Sequence, residues 1–202
     1  MSLIKFLSLN VGMQSSLAGL PALIDLERLD VVLLQEVRSN SEQIESLLKG
    51  FKASVNIDPE NPTSPGTAIV WRQEVPIEGI TILKQCRLQL ASIGSLKILN
   101  LYAPSGSNQV YERSAFYSED IFKAILLDQK AQWVIGGDHN CVLQQIDLEN
   151  GFGFMQKKCP ALENIVKIMN LQDAFRCKNP NASEFTFYRA GSTPSRLDRF
   201  YI

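Results

Sequence analysis

The sequence predicts an α/β fold, and three observations support this prediction. Residues 31–34 are a continuous apolar run, which is typical of a strand buried on both faces. A helix-periodic segment at 20–26 separates this run from an earlier apolar strand at 3–9. Four strand-like segments then follow one another between 67 and 101, with a tight join at 94–95 that predicts a hairpin. We therefore expect a sheet that is at least partly antiparallel.

The other elements follow from periodicity and from turn residues. Ser15 or Ser16 is expected to cap the first helix, and Ser41 the second. A polar segment at 58–65 is expected to be an exposed loop. The predicted strands lie at 67–71, 77–83, 86–93, 96–101, 133–135, 185–188 and 197–202, and the later helices at 109–128 and 160–170.

The composition is that of one globular domain, which we take as residues 1–202. The chain is 45% hydrophobic and 20% charged, and it is long enough for a substantial core. The net charge of -1 does not single out a nucleic-acid-binding protein. Residues 157–202 carry an excess of basic side chains, and binding to a polyanion and a chance distribution explain this excess equally well. No apolar run is long enough to cross a membrane and no signal peptide is evident, so we expect an intracellular protein.

The cysteines do not have the spacing of a zinc site. Cys86, Cys141, Cys159 and Cys177 are widely separated and form no C-x-x-C pair. We expect reduced thiols that are buried for structural reasons.

The segment 136–140, Gly-Gly-Asp-His-Asn, follows a short apolar strand and is the strongest local motif. Two glycines allow the backbone to turn and to approach another group closely. Asp138 and Asn140 are two residues apart and can point to the same side. An acid that positions water and an amide that donates to negative charge suit phosphate-ester hydrolysis. Taken alone, the segment is equally compatible with a capped strand end.

Polar residues recur at the predicted strand ends, where sites gather in layered α/β folds. Two carboxylates and an amide oxygen are hard ligands that suit Mg²⁺, with Mn²⁺ as an alternative ion. A phenol and an amide could hold a phosphate, so the pattern favours metal-assisted cleavage of a phosphodiester. The residues are Asn10, Glu36, Tyr102, Asp138, Asn140, Asp173 and Asp198.

Six segments in order resemble the endonuclease/exonuclease/phosphatase superfamily, and most of all the endonuclease domain of LINE-type non-LTR retrotransposons. They are Ser-Leu-Asn-Val at 8–11, Leu-Gln-Glu at 34–36, Asn-Leu-Tyr-Ala-Pro at 100–104, Gly-Gly-Asp-His-Asn at 136–140, Phe-Thr-Phe at 185–187 and Ser-Arg-Leu-Asp-Arg at 195–199. The resemblance implies a four-layer α/β/β/α sandwich of two mixed sheets flanked by helices.

The resemblance also implies a role for each matching residue. Glu36 would bind the metal with Asn10 and Asp198. Asp138 would orient or deprotonate water, and Asn140 and Tyr102 would hydrogen-bond the scissile phosphate. Asp173 matches an acid that orients a catalytic histidine, and Thr186 and Arg196 flank a hairpin that approaches a DNA groove.

The implied activity is nicking of double-stranded DNA to leave a 3′ hydroxyl that primes reverse transcription. The implied partner is a reverse transcriptase in a larger polyprotein. The protein would be made in the cytoplasm and would act in the nucleus. No association with a membrane is expected.

Two features depart from the family pattern. His139 replaces an apolar residue, and we expect its side chain to point away from the site because its neighbours occupy the motif positions. The family normally closes with a Ser-Asp-His segment, whereas this sequence ends at Ile202. We therefore expect a last strand to be missing, one sheet edge to be unpaired, and nicking to be weaker than in an intact domain.

Three functions remain open at this point. The first is the metal-dependent DNA-nicking endonuclease. The second is a related phosphodiesterase, such as an abasic-site repair endonuclease or a phosphatase. The third is a catalytically weak DNA-binding remnant, whose DNA affinity would fall as salt rises.

Overall fold

The fold is built on two mixed β-sheets, as seen in a computed structural model that describes residues 3–12, 17–126, 128 and 130–202. The first sheet has the order β1–β2–β4–β3. Strands β1 and β2 are parallel, and the other two pairs are antiparallel. Its strands are β1 (Phe6–Asn10), β2 (Val31–Val37), β3 (Phe51–Asn56) and β4 (Gly66–Arg72).

The second sheet has the order β5–β6–β7–β8–β9 in the described part of the chain. Only β7 and β8 are parallel, so the sheet is a meander that ends in a parallel pair and a short antiparallel strand. Its strands are β5 (Glu78–Lys84), β6 (Leu88–Ile93), β7 (Leu96–Tyr102), β8 (Gln132–Asp138) and β9 (Asp198–Tyr201).

Helices cover the outer face of each sheet. Those beside the first sheet are α1 (Leu20–Glu27) and α2 (Ser41–Leu47). The chain after β7 is helical over α3 (Val110–Ala115), a π-helical segment (Phe116–Ile121) and α4 (Phe122–Leu126). The later helices are α5 (Phe154–Lys157), α6 (Pro160–Ile168) and α7 (Ala174–Lys178).

Strand β2 shows why its sequence is a continuous apolar run. Val31 and Leu33 pack between the two sheets, while Val32 and Leu34 pack under α1 and α2. All four are fully buried, and burying each such side chain contributes about 1.5–3 kcal/mol. Both faces of the strand are therefore core, and the predicted four-layer α/β/β/α sandwich is confirmed.

A buried polar pair joins the two sheets close to the ends of their strands. Gln35 Nε2 donates to Asn100 Oδ1 at 2.8 Å, and Asn100 Nδ2 donates to the carbonyls of Leu34 and Ala68 at 3.1 and 2.8 Å. Both side chains are fully buried. Because each amide is satisfied inside the core, the pair sets the relative position of β2 and β7.

Several predicted elements differ from the structure. Strand β3 was not predicted, and the segment 67–71 belongs to β4 of the first sheet and not to the meander. Residues 185–188 were predicted to be a strand, but the structure shows only a single isolated bridge there, between Phe187 and Ser195. The N-cap of α2 is Asn40, whose side chain and that of Gln43 form a reciprocal capping box. Ser15 and Ser16 lie outside the described residues.

The cysteines only partly match the expectation. All four are free thiols, as expected, and Cys141 and Cys159 are buried. Cys86 is half-buried and Cys177 is exposed, so structural burial of every cysteine was a wrong prediction. In the portion of the chain that is described, no helix has the length and apolar character needed to traverse a bilayer.

Candidate active site

Four residues meet where strands of both sheets end. Asn10 ends β1, Tyr102 ends β7, Asp138 ends β8, and Glu36 lies one residue before the end of β2. The Asn10 amide donates to Glu36 Oε1 and to Asp138 Oδ2, each at 3.0 Å. Tyr102 Oη donates to the same Glu36 oxygen at 3.3 Å. Together with Asn140 and Asp198, these residues form what we call the strand-end cluster.

Glu36 enters the cluster from an irregular point in β2. The register with β4 shifts between Gln35 and Val37, and Glu36 has φ 58°. A left-handed backbone at a residue other than glycine costs about 1–3 kcal/mol and persists only where neighbours hold it. The buried Gln35 side chain is such an anchor. The left-handed backbone at Glu36 directs its carboxylate towards Asn10 and Tyr102.

The two glycines of β8 allow Asp138 to reach the cluster. A Cβ atom on Gly136 would lie 2.4 Å from Phe200 Cε1, and one on Gly137 would lie 1.9 Å from the Leu101 carbonyl oxygen. Gly137 also has φ +146°, which side chains rarely adopt. Larger residues would push β8 away from its neighbours, so the close approach predicted from the motif is confirmed.

Asp198 joins the cluster through the pairing of β8 with β9. Its Cα is the register partner of the Asp138 Cα, so the two side chains leave the sheet on the same face. Among the described residues, Asp198 Oδ1 is buried and has no hydrogen-bond partner. Leaving a buried carboxylate oxygen without a donor or cation is unfavourable, so this oxygen marks a position for a ligand.

The cluster is electrostatically strained. Burial and the charge of Asp198 raise the pKa of Asp138 to about 7. Burial, with the charge of Glu36 adding to it, also raises the pKa of Asp198. Carboxylates held this close repel one another, and a bound cation would relieve the repulsion.

The donor set fits a hard divalent cation. Glu36 and Asp198 offer carboxylate oxygens and Asn10 offers an amide oxygen, which already accepts from the Gly12 N–H at 3.0 Å. Among the described residues, no three His, Cys, Asp or Glu side chains form a preassembled metal cluster. An ion such as Mg²⁺ needs only one or two protein carboxylates because it keeps several waters.

Asn140 and Tyr102 supply neutral donors beside the carboxylates. Asn140 has φ 48°; its N–H donates to Asp138 Oδ1 and its Nδ2 to the Ala103 carbonyl, both at 2.9 Å. Burial, followed by the charge of Glu36, raises the pKa of Tyr102, so its hydroxyl remains protonated at neutral pH. Asn140 thus keeps one amide hydrogen for an anionic oxygen, and Tyr102 can donate to such an oxygen in exchange for Glu36.

His139 points away from the cluster, as expected. Its ring is fully buried and lies 3.0 Å from Tyr117 Oη, with Tyr201 packed edge-on against it. Burial, with Arg199 next in importance, lowers the pKa of His139 well below its usual value. A neutral imidazole in this position is part of the core.

Arg196, which was predicted to flank a hairpin that approaches DNA, is buried in a network of ion pairs. Its side chain is only 4% exposed, and its Nη2 atom lies 2.6 Å from Asp173 Oδ2. Its Nε also donates to Asp147 Oδ1 at 2.9 Å. The Arg196 guanidinium is therefore engaged by two carboxylates in this structure, and its predicted contact with DNA stays a prediction.

Asp173 belongs to the same network of ion pairs. Besides pairing with Arg196, it accepts from the N–H groups of Phe175 and Arg176 and thereby caps α7. These contacts hold Arg196 and the start of α7, and the predicted role of Asp173 in orienting a catalytic histidine stays a prediction.

Thr186 is exposed and lies close to the cluster. Its hydroxyl oxygen accepts from the N–H groups of Leu197 and Asp198 at 3.0 and 3.1 Å. It therefore fixes the start of β9, where Asp198 begins. Its predicted contact with DNA stays a prediction.

Comparison with known proteins decides the family. Residues 7–202 match the profile of the Endonuclease/Exonuclease/phosphatase family. The chain belongs to this family. Nucleases and phosphatases make up the family, which supports a hydrolytic enzyme and confirms the resemblance seen in the sequence. No curated protein sequence gives a significant match.

Solved structures show the shared fold. An AP endonuclease from Archaeoglobus fulgidus has a TM-score of 0.79 at 18% identity, covering 98% of this chain and 86% of that chain. AP endonuclease LMAP from Leishmania major has 0.74 at 16% identity, covering 98% and 78%. The endonuclease domain of TRAS1, a telomere-specific non-LTR retrotransposon, has 0.68 at 14% identity, covering 98% and 84%.

Sequence reasoning missed the residues that support the cluster. Gln35 and Asn100 stand inside the matched segments, and their position beside Glu36 and Tyr102 was the available signal. Asp147 lies in an irregular segment whose sequence has no distinctive pattern. Its pairing with arginines 29 and 49 residues further along leaves no local signal.

Proposed function

We propose that this protein is a Mg²⁺-dependent DNA endonuclease that nicks one strand and leaves a 3′ hydroxyl for target-primed reverse transcription by a retrotransposon. The observation that carries the proposal is the strand-end cluster. In it, Asn10 bridges Glu36 and Asp138, and Asp198 lies alongside with an unsatisfied buried oxygen.

The metal would be held by Glu36 and Asp198, with the Asn10 amide oxygen as a further ligand. When bound, Mg²⁺ or Mn²⁺ would supply Lewis-acid stabilisation of the phosphate oxygens. Asn10 has a second task in the protein itself, because its amide hydrogens hold Glu36 and Asp138 in fixed orientations.

Asp138 would position and deprotonate the attacking water. Its carboxylate is oriented by the Asn140 N–H at 2.9 Å and by Asn10 at 3.0 Å. Burial and Asp198 raise the pKa of Asp138 to about 7 without a metal, and a cation held by Glu36 and Asp198 would lower that pKa and favour the carboxylate form that a base needs.

Asn140 and Tyr102 would donate to the scissile phosphate. Neutral donors can stabilise the charge that develops on the phosphate oxygens. Asn140 is preorganised by its hydrogen bond to the Ala103 carbonyl and keeps a second amide hydrogen, whereas the Tyr102 hydroxyl would exchange Glu36 for a phosphate oxygen. Asn140 can therefore donate without rearrangement during the reaction.

The TRAS1 neighbour supports the retrotransposon assignment, because that protein is the endonuclease domain of a non-LTR retrotransposon. Double-stranded DNA would be the substrate, and a reverse transcriptase in the same polyprotein would be the partner. Action would then take place in the nucleus.

The second candidate is an abasic-site endonuclease. The two AP endonucleases superpose with TM-scores of 0.79 and 0.74, which are higher than the value for TRAS1. Both candidates use the same cluster and differ in the DNA that they prefer.

The test is nicking of supercoiled plasmid in Mg²⁺ or EDTA by the wild-type protein, by Asp138→Ala, and by a control, Asp25→Ala, which changes an exposed acid on α1. We expect nicking that requires the metal, is lost in Asp138→Ala, and persists in the control. Extension of the nick by a DNA polymerase would report the 3′ hydroxyl.

A duplex that carries one abasic site distinguishes the two candidates. Strong preference for that duplex over intact plasmid would favour the repair enzyme. Wild-type protein that binds DNA but does not nick it in Mg²⁺ or Mn²⁺ would refute both and leave a DNA-binding remnant.

A further inference from the structure

Arg87 lies beside the strand-end cluster and belongs to none of the matched segments. Its guanidinium carbon is 4.4 Å from the centroid of the Tyr102 ring. Its Nη1 atom lies 3.4 Å from the Tyr102 carbonyl oxygen and 3.5 Å from that of Ala103. A guanidinium stacked on an aromatic face has a defined plane and direction.

The turn that carries Arg87 is held firmly. The Tyr102 N–H donates to the Arg87 carbonyl at 2.9 Å. The buried Asn56 side chain accepts from the Cys86 N–H at 2.8 Å and donates to the Lys84 carbonyl at 2.9 Å. The backbone of Arg87 is thus anchored to both sheets, and little ordering is needed when a ligand binds.

Arg87 is also connected to Asn140. The Ala103 carbonyl oxygen accepts from Arg87 Nη1 and from Asn140 Nδ2. Arg87 therefore contacts Tyr102 directly and Asn140 through one shared acceptor. These are the two groups assigned above to the scissile phosphate.

The charge balance gives Arg87 a ligand class. The cluster contains the three acids Glu36, Asp138 and Asp198, which would repel a DNA backbone that extends past the scissile bond. Arg87 is half-buried, and its Nε and Nη2 make no hydrogen bond to any part of the chain that the structure describes. Two free N–H groups of a planar guanidinium match two oxygens of a phosphodiester.

We propose that Arg87 binds a backbone phosphate adjacent to the scissile one and, through its stacking, positions Tyr102. This inference rests on the proposed nuclease function. Phosphate binding predicts an effect on affinity and on its salt dependence, whereas positioning of Tyr102 predicts an effect on turnover.

The experiment measures two quantities for Arg87→Gln, Arg87→Lys and the wild type. The first is binding of a labelled DNA duplex in EDTA, followed by fluorescence anisotropy over a range of KCl concentrations. The second is kcat and KM for nicking in Mg²⁺. Arg28→Gln is the matched control, because Arg28 is exposed and follows α1, before β2 starts, at the strand end opposite to Glu36.

We expect Arg87→Gln to bind about tenfold more weakly and to lose about 0.9 from the slope of log K against log salt, the value of one phosphate contact. Arg87→Lys keeps the charge and should retain the slope. Its kcat should fall several-fold, because lysine has no planar guanidinium to stack on the Tyr102 ring. Arg28→Gln should match the wild type in both assays.

Wild-type nicking combined with an unchanged slope and affinity in Arg87→Gln would overturn this inference alone. Wild-type protein that neither binds nor nicks DNA would overturn the proposed function and this inference with it. If Arg87→Gln unfolds, Arg87→Lys decides: a wild-type kcat and KM in that variant would overturn the positioning of Tyr102.

Discussion

Replacing Asp138 by asparagine should stabilise the metal-free protein at neutral pH while abolishing its activity. Burial and the neighbouring Asp198 raise the pKa of Asp138 to about 7 in the folded protein, against about 3.9 in an unfolded chain. Between these two values the folded state holds a proton that the unfolded state lacks. Stability therefore falls as pH rises from about 4 to about 7 and is constant above that range.

The magnitude follows from the width of that window. About three pH units at 1.36 kcal/mol each make an ionised Asp138 unfavourable by at most about 4 kcal/mol above pH 7. Asparagine keeps the acceptor for the Asn140 N–H but presents an amide to the Asn10 amide, which costs about 1 kcal/mol for one hydrogen bond. The net gain is about 3 kcal/mol at pH 8, or about 6–12 °C in a domain of this size.

The assay is thermal unfolding in EDTA at several pH values between 4.5 and 8. The stability advantage of Asp138→Asn should be largest at pH 8 and close to zero at pH 4.5, where wild-type Asp138 is already protonated in the folded state. Asp25→Asn, at an exposed position, is the control for a simple loss of charge. An advantage that does not change with pH, or a variant less stable than wild type at pH 8, would refute the reasoning.

Three further predictions test other parts of the site. In Gly12→Ala the new Cβ would lie 3.2 Å from Glu36 Oε2 and would crowd this carboxylate. Addition of Mg²⁺ should therefore raise the melting temperature of the variant by less than that of the wild type. An equal rise in both proteins would count against Glu36 as a metal ligand. Tyr102→Phe should lower kcat about 10²-fold with little change in melting temperature, and wild-type kcat would remove its hydroxyl from the mechanism. Asp147→Asn should lower the unfolding free energy in urea by about 3–5 kcal/mol, because Arg176 loses its ion pair and Arg196 keeps only the one with Asp173; a loss below about 1 kcal/mol would contradict this.

The site was predictable to the extent that it depends on strand ends. Asn10, Glu36, Tyr102 and Asp138 each follow a short apolar run, and in layered folds such ends gather on one side. Side-chain alternation also placed His139 away from its two neighbours. These features repeat every two residues or mark a change of element, so they can be read locally.

Strand β3 and the buried state of Arg196 could not be predicted in the same way. Residues 51–56 carry a weak alternation that follows directly on a helix, and they become a strand by pairing with β4. Arg196 resembles an exposed basic residue in the sequence. Its burial depends on Asp147 and Asp173, which lie 49 and 23 residues earlier in the chain.

By itself, the sequence determined the family, the layered α/β architecture and the identity of the six residues in the strand-end cluster, because apolar periodicity and short ordered motifs are local properties. Only the tertiary structure decided which polar groups meet. The Asn10 bridge to Asp138 spans 128 residues, the raised pKa of Asp138 needs both burial and Asp198, and Arg87 reaches Tyr102 across a strand pair. Such contacts arise when separate strands pack, and desolvation then sets their energies.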